Sequence, residues 1–249
     1  MKFGDRPSIN KKTINNERRT VLLFTLYPSS ATTMFAHLKP EYTTVNRKRH
    51  LSFQGQTYPS VTSILSATKP QKDRLALQKW RQKLGTKQAQ QITIDASKRG
   101  ISLHVAIKNY LQQQLLEDVG SNPYWDSIQP ILDRVEQVHL LESAVYHSLY
   151  RYAGCFDCLG VWEGKLCVFD WKTASKPKKK EWITDYCLQV TAYIRAINYL
   201  YNTEIDRGII AVALNDQPAQ VFILDERDLD FYWQQFISRL QQWRNLYQR

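Results

Sequence analysis

The stretch Tyr152-Ala-Gly-Cys-Phe-Asp157-Cys-Leu-Gly-Val-Trp162-Glu-Gly164-Lys-Leu-Cys-Val-Phe-Asp170-Trp-Lys172 decides the fold. Two runs rich in aromatic, β-branched and Cys residues flank Glu163-Gly164, which predicts two strands, Tyr152–Trp162 and Lys165–Trp171. A two-residue loop in which glycine supplies a positive φ predicts that these strands form a hairpin. Asp157 then lies opposite Asp170, with Cβ atoms about 5 Å apart, and alternation places Lys172 on the face of Asp170. A β-bulge would shift this register.

Two opposed carboxylates on an apolar sheet need a cation or a shared proton between them. Their predicted neighbours on the same face are all apolar, so water screens the repulsion poorly: Leu159, Val161, Leu166 and Val168. Mg²⁺ suits this position because it takes oxygen ligands and keeps places for water and phosphate. Lys172 would orient or deprotonate an attacking water and stabilise charge in the transition state. The trio therefore predicts phosphodiester hydrolysis, and the alternative is a surface carboxylate pair beside an unrelated lysine.

The remaining periodicity predicts an α/β or α+β domain with a mixed sheet flanked by helices. Tyr58-Pro-Ser-Val-Thr62 predicts a turn that feeds a helix, with Ser60 or Thr62 as its cap. Helical spacing is found at 73–83, at 92–117 with interruptions near Gly85 and Gly100, and at 124–139, 184–201 and 228–246. Further strands are predicted at 141–147, 205–214 and 220–224.

Composition restricts the class of protein. With 249 residues and 43% hydrophobic residues, we expect one catalytic domain around a substantial core. Apolar runs such as Val21–Phe24 are too short to cross a bilayer, and no secretory signal pattern opens the chain. The four cysteines lie between Cys155 and Cys187, which is typical of reduced thiols rather than a disulfide framework. The net charge of +11 favours nucleic acid or an anionic surface as partner.

Residues 1–50 are predicted to be a basic, disordered tail that precedes a catalytic domain at 51–249. They hold ten Lys or Arg against three acidic residues and show no sustained period. Met34 is an alternative translational start, and a transit peptide is a second interpretation of the same stretch. We expect a cytoplasmic bacterial protein, or a mitochondrial one if residues 1–50 are a transit peptide.

The hairpin and several motifs around it resemble a known superfamily. Asp157 followed by Asp170-Trp171-Lys172 resembles the PD-(D/E)XK nuclease signature in its RecB-like branch. Other motifs occur in the matching order: Pro59-Ser-Val-Thr62, Gly100-Ile-Ser-Leu-His104, Glu142, Tyr152-Ala-Gly154, Gly164-Lys-Leu-Cys-Val168 and Leu188-Gln189-Val190-x-Ala192-Tyr193. Within that branch the chain is similar to the mitochondrial genome maintenance exonucleases and their bacterial relatives. Phe156 stands where the signature has Pro, a departure that is common in this branch.

The resemblance implies a restriction-endonuclease-like core with a helical part at 60–140 and the catalytic sheet and helices at 141–249. It implies His104 as a third metal ligand and the carbonyl of Trp171 as a fourth protein contact, a set that suits Mn²⁺ as well as Mg²⁺. Gln189 and Tyr193 would line the active site, and Glu142 would be a supporting acid near the metals. The implied activity is a DNA exonuclease that prefers single-stranded ends and serves DNA repair, recombination or maintenance.

The same residues leave three alternatives. An endonuclease of the same fold would share every motif, and a non-catalytic nucleic-acid-binding subunit would have no need of Asp157, Asp170 and Lys172. An iron–sulfur cluster is not expected, because Cys155 and Cys158 are three apart on a predicted strand and should point to opposite faces.

Overall fold

The computed structural model describes residues 35–113 and 122–247. The strands are β1 (Tyr42–Val45), β2 (Lys48–Phe53), β3 (Gln56–Pro59), β4 (Gln137–His147), β5 (Tyr152–Trp162), β6 (Lys165–Ala174), β7 (Gly208–Leu214) and β8 (Gln217–Leu224). The helices are α1 (Val61–Ala67), α2 (Gln71–Leu84), α3 (Thr86–Leu111), α4 (Pro123–Leu132), α5 (Thr184–Tyr201) and α6 (Glu226–Tyr247), with one 3₁₀ turn at Lys180–Trp182. The predicted α+β class with a mixed sheet is confirmed.

The central sheet has the order β4-β5-β6-β7-β8, and every neighbouring pair is antiparallel except β6 and β7. The β5–β6 hairpin has the predicted register from Trp162–Lys165 to Cys158–Phe169. Its loop residues Glu163 and Gly164 both have positive φ, at 51° and 71°, as a tight turn between twisted strands requires. The predicted hairpin is therefore confirmed along this ladder.

A second, antiparallel sheet of β1, β2 and β3 precedes the first helix. The predicted tail boundary at residue 50 differs from this, because β1 and the first half of β2 lie within residues 1–50. Leu51 and Tyr58 are buried against Ala144 and Ala153 of the central sheet, which gives the small sheet an apolar contact of its own. Predictions for residues 1–34 lie outside the described part of the chain.

The helices differ from the predictions mainly at their ends. Ser60 caps α1, as predicted, by accepting a hydrogen bond from the Ser63 amide at 3.1 Å. Gly85 separates α2 from α3 with φ at 80°, whereas Gly100 lies inside a continuous α3 and does not interrupt it. The predicted helix at 124–139 is too long. It ends at Leu132 because residues from Gln137 onward pair with β5.

The central sheet is covered on both faces, so its strands read as nearly continuous apolar runs. One face packs against α1, α5 and α6 and includes Leu159, Val168 and Ile210. The opposite face packs against α3 and α4 and includes Cys158, Phe169 and Ala211. None of the helices in the described ranges is both long and apolar enough to span a membrane.

Candidate metal centre and its surroundings

The hairpin brings Asp157 next to the strand that carries the second acid. The ladder ends with the pair Cys158–Phe169, one residue before Asp157 and Asp170. Asp157 Oδ2 accepts a hydrogen bond of 2.8 Å from the Trp171 amide, which joins the two strands where the ladder stops. Asp157 is 9% exposed and Asp170 is 0% exposed, so both carboxylates are removed from bulk water.

In both β4 and β5, the regular alternation of side chains between the two faces of the sheet is interrupted near Glu142 and Asp157. Phe156 and Leu159 are three residues apart, yet both lie in the cluster beneath α5 and α6, whereas a regular strand would place them on opposite faces. Leu140 and Val145 show the same change in β4. The register places Glu142 opposite Asp157, and Glu142 has φ at 48°, in the left-handed region. The local backbone therefore brings both acids to the same point of the sheet.

His104 approaches these acids from α3. Its Nε2 lies 2.8 Å from the carbonyl oxygen of Trp171, and because a carbonyl only accepts, Nε2 carries the hydrogen. The other ring nitrogen, Nδ1, lies 3.6 Å from Asp157 Oδ1 and 3.7 Å from Glu142 Oε1. Leu103 and Ile107 on the same helix are buried against the sheet and hold this approach in place.

The electrostatics of the cluster follow from burial and from the close approach of like and unlike charges. Burial raises the pKa of Asp157 to about 6. The His104 imidazole acts to lower this pKa, whereas the neighbouring Asp170 carboxylate acts to raise it. Burial alone would lower the pKa of His104, but Glu142 and Asp157 outweigh it and raise that pKa to about 9. The two carboxylates thus create a position that favours positive charge.

Asp170 faces α5 rather than His104. Its Oδ2 forms an ion pair with Lys172 Nζ, and its Oδ1 accepts a hydrogen bond of 2.9 Å from Gln189 Nε2. Burial alone would lower the pKa of Lys172, but the Asp170 and Asp157 carboxylates reverse this and raise it. Lys172 Nζ also lies 5.1 Å from the centre of the Tyr186 ring. The lysine is therefore fixed between a carboxylate and an aromatic face.

Tyr193 lies one helical turn beyond Gln189 and is 2% exposed. A Cβ added at Gly154 would come within 2.3 Å of Tyr193 Cε1, so the ring occupies the space that a side chain on β5 would need. Burial raises the pKa of Tyr193 well above its usual value, and the Asp170 and Asp157 carboxylates act in the same direction. Its hydroxyl is therefore neutral at physiological pH.

The predicted site residues fall into two adjoining groups. The imidazole nitrogen of His104 and carboxylate oxygens of Glu142 and Asp157 lie within 4.8 Å of one another, a donor set that fits a divalent cation. Asp170, Lys172 and Gln189 form the second group, linked to the first through Trp171. The carbonyl of Trp171 contacts His104, and its second lone pair leaves room for another contact.

Sequence reasoning missed Tyr186, although it precedes Gln189 by three residues and so shares the helical face that meets the hairpin. The prediction that Cys155 and Cys158 point to opposite faces is wrong. Gly154 and Phe156, on either side of Cys155, both face α5, so Cys155 points to the opposite face, where Cys158 also lies. Both are free thiols in the structure, and Cys158 is buried against the α3 side of the sheet.

Comparison with known proteins gives three relatives named mitochondrial genome maintenance exonuclease 1. The protein of Mus musculus is 35% identical over 217 residues, 82% of this chain and 64% of that protein. Those of Xenopus tropicalis and Homo sapiens are 36% and 34% identical over 76% and 78% of this chain, and 58% and 60% of their own lengths. The chain thus spans about three fifths of the length of these relatives.

No family model matches the chain. Among solved structures, one titled "Crystal structure of SSO0001" aligns at a TM-score of 0.34 and 13% identity, over 66% of this chain and 70% of that chain. That similarity is too low to support any inference.

Proposed function

We propose that this chain is a metal-dependent DNA exonuclease of the PD-(D/E)XK superfamily, in its RecB-like branch, with a restriction-endonuclease-like core. The observation that carries the proposal is the convergence of His104, Glu142 and Asp157 beside the Asp170–Lys172 pair. The name shared by the three relatives supports the same activity.

His104, Glu142 and Asp157 would hold a divalent cation, with Asp170 as the adjoining carboxylate and the Trp171 carbonyl as a further contact. Bound there, Mg²⁺ or Mn²⁺ would neutralise the phosphate and lower the pKa of a coordinated water. The Trp171 carbonyl fixes His104 through Nε2, so Nδ1 is turned toward the two carboxylates.

Lys172 would orient the attacking water and offset the negative charge that builds on the phosphate in the transition state. Asp170 and Tyr186 restrict its ammonium group to one position, which reduces the reorganisation needed at the moment of reaction. Gln189 holds Asp170 from the opposite side, and Tyr193 fills the space behind Gly154. These residues position the reacting groups without providing the nucleophile.

The substrate we propose is DNA, with a preference for single-stranded ends and a role in repair, recombination or maintenance. A net charge of +11 favours a polyanion. We propose the bacterial cytoplasm as the compartment, or the mitochondrion if residues 1–50 act as a transit peptide.

The test is digestion of single-stranded DNA as an end-labelled linear molecule and as a circle of the same sequence. We expect loss of the linear DNA with Mg²⁺ or Mn²⁺, no loss in EDTA, and an intact circle. Rapid loss of the circle would identify an endonuclease of the same fold instead. Absence of cleavage of either form with both metals would favour a non-catalytic nucleic-acid-binding subunit.

A further inference from the structure

A groove of about 530 Å³ lies beside the metal centre, between β2 and α3. It shares His104 and Glu142 with the centre, and its other walls are Arg49, Gly100, Ile101, Val105 and Lys108. The volume falls within the range of about 300 to 1,000 Å³ that is typical of sites for small ligands. The groove is therefore large enough for more than the reacting phosphate.

The α3 wall is a single helical face that combines apolar and cationic side chains. Ile101 and Val105 are one turn apart, as are His104 and Lys108, so the four form one stripe. Ile101 is 67% exposed and Val105 is 54% exposed, although Leu103 and Ile107 on the other side of the helix are buried. The structure thus leaves an apolar surface uncovered directly next to the metal centre.

The charges of the groove are divided between its floor and its rim. Glu142 would repel a phosphodiester, whereas Arg49 on β2 and Lys108 on α3 offer positive charge from two different walls. No salt bridge within residues 35–113 and 122–247 engages Arg49 or Lys108. Arg49 instead lies over the Tyr42 ring, 5.3 Å from its centre. Both cations thus remain available to an anionic ligand.

We propose that this groove binds the nucleotide adjoining the phosphodiester that is cleaved, with Arg49 and Lys108 contacting its phosphates. Ile101 and Val105 pack against its sugar and base. This inference rests on the proposed function and adds two DNA-binding residues to it. Lys108 also lines a neighbouring pocket of about 430 Å³, together with His37 and His139. This second pocket would accommodate a further nucleotide of the same DNA strand.

The first test compares Arg49→Ala and Lys108→Ala with matched controls. Arg47→Ala removes an arginine from the β1–β2 turn, and Lys98→Ala removes an exposed lysine of α3; neither residue lines the groove. Binding of a fluorescent single-stranded oligonucleotide is measured by anisotropy in EDTA, so cleavage cannot consume the probe.

Each groove variant should weaken binding about tenfold relative to its control, because each loses a charge-assisted contact. The salt dependence of log Kd should also lose about one unit of slope. If the groove variants bind the oligonucleotide as tightly as the controls do, the proposal that the groove binds a nucleotide is wrong, whether or not the wild-type protein cleaves DNA. A failure of the proposed function appears separately, as absence of cleavage by a protein that still binds.

A second test fills the groove without touching a charge. A Cβ at Gly100 meets no atom within 4 Å, so Gly100→Ala should fold and serves as the reference for stability. Gly100→Phe should keep the melting temperature of the alanine variant but weaken oligonucleotide binding at least fivefold, an effect of about 1 kcal/mol. Unchanged binding by a folded Gly100→Phe variant overturns the proposal.

Discussion

Glu142 and Asp157 lie opposite each other at the level where β4 and β5 change face, between the pairs Leu141–Cys158 and Ser143–Phe156. Glu142 reaches this position with φ at 48°, which costs a residue with a Cβ about 1–2 kcal/mol. We expect Glu142→Gly to melt higher than Glu142→Gln, because both lack the carboxylate but only glycine relieves the backbone. Thermal unfolding of the two variants measures this difference.

Both Glu142 variants should also bind Mn²⁺ more weakly than the wild type, as measured by calorimetry, since each removes one of three converging ligands. The stability comparison would fail if the glutamine variant melted higher than the glycine variant. Unchanged Mn²⁺ affinity would remove Glu142 from the ligand set.

Gly154→Ala should destabilise the fold by about 1–3 kcal/mol, because its Cβ would overlap the Tyr193 ring. The measurement is urea unfolding of Gly154→Ala, Tyr193→Leu and the double variant. We expect a smaller cost of Gly154→Ala in the Tyr193→Leu background, since that substitution vacates the space. Gly100→Ala is the matched control, and equal costs in both backgrounds would contradict the contact.

The stability of the fold should decrease on acidification through His147. Burial lowers the pKa of His147 from 6.5 to about 4, and the ring stacks on Tyr199 at 4.1 Å between centroids. Below pH 6.5 the unfolded chain takes up a proton that the folded chain does not. The stability contributed by this group is therefore present above pH 6.5 and is lost as the pH falls toward 4.

The check on His147 is the melting temperature of the wild type and of His147→Phe between pH 7.5 and 4. The phenylalanine variant keeps an aromatic ring but cannot titrate, so its melting temperature should fall less over this window. Comparison of each protein with its own value at pH 7.5 removes the effect of the substitution on packing. Parallel curves would exclude His147 as the cause.

Lys172→Ala should reduce the rate of hydrolysis at least about 10²-fold while DNA binding changes little, because the lost interaction acts on the transition state. Lys165→Ala is the matched control, since it removes a lysine from the same strand that pairs with Asp206 at the surface. Single-turnover cleavage and anisotropy separate the two effects. Cleavage at the wild-type rate would exclude the proposed role of Lys172.

Much of the β5–β6 hairpin could be predicted because its signals are local. The bounds of β5 and of α5 agree with the predictions at both ends, and Glu163-Gly164 defines the register of β5 and β6. The separation of two residues between Asp170 and Lys172 was enough to place both on one face. The ion pair between them in the structure agrees with this.

The rest depends on contacts that no local pattern contains. The positive φ of Glu142 results from the packing of two strands, since a glutamate gives no indication of a left-handed backbone. The polar sequence Lys48-Arg49-His50 is typical of a disordered tail. It nevertheless forms part of β2, because the adjacent Leu51 packs against Ala144 and Ala153 of the central sheet. For the same reason Arg49 escaped the prediction of site residues.

The parallel pairing of β6 with β7 determines when the protein acquires its site. Asp170 and Lys172 lie beside Ile210 and Val212, and α5, which supplies Gln189 and Tyr186, must first cross between the two strands. The chain loses conformational entropy when this long connection closes, before the pairing of the two strands contributes any stability. Parallel pairings of this kind therefore form slowly. A nascent chain that has emerged only as far as Lys172 carries both acids and the lysine, yet β6 still lacks its neighbour β7. Synthesis of the residues after Lys172 is thus a delay before the candidate site can assemble.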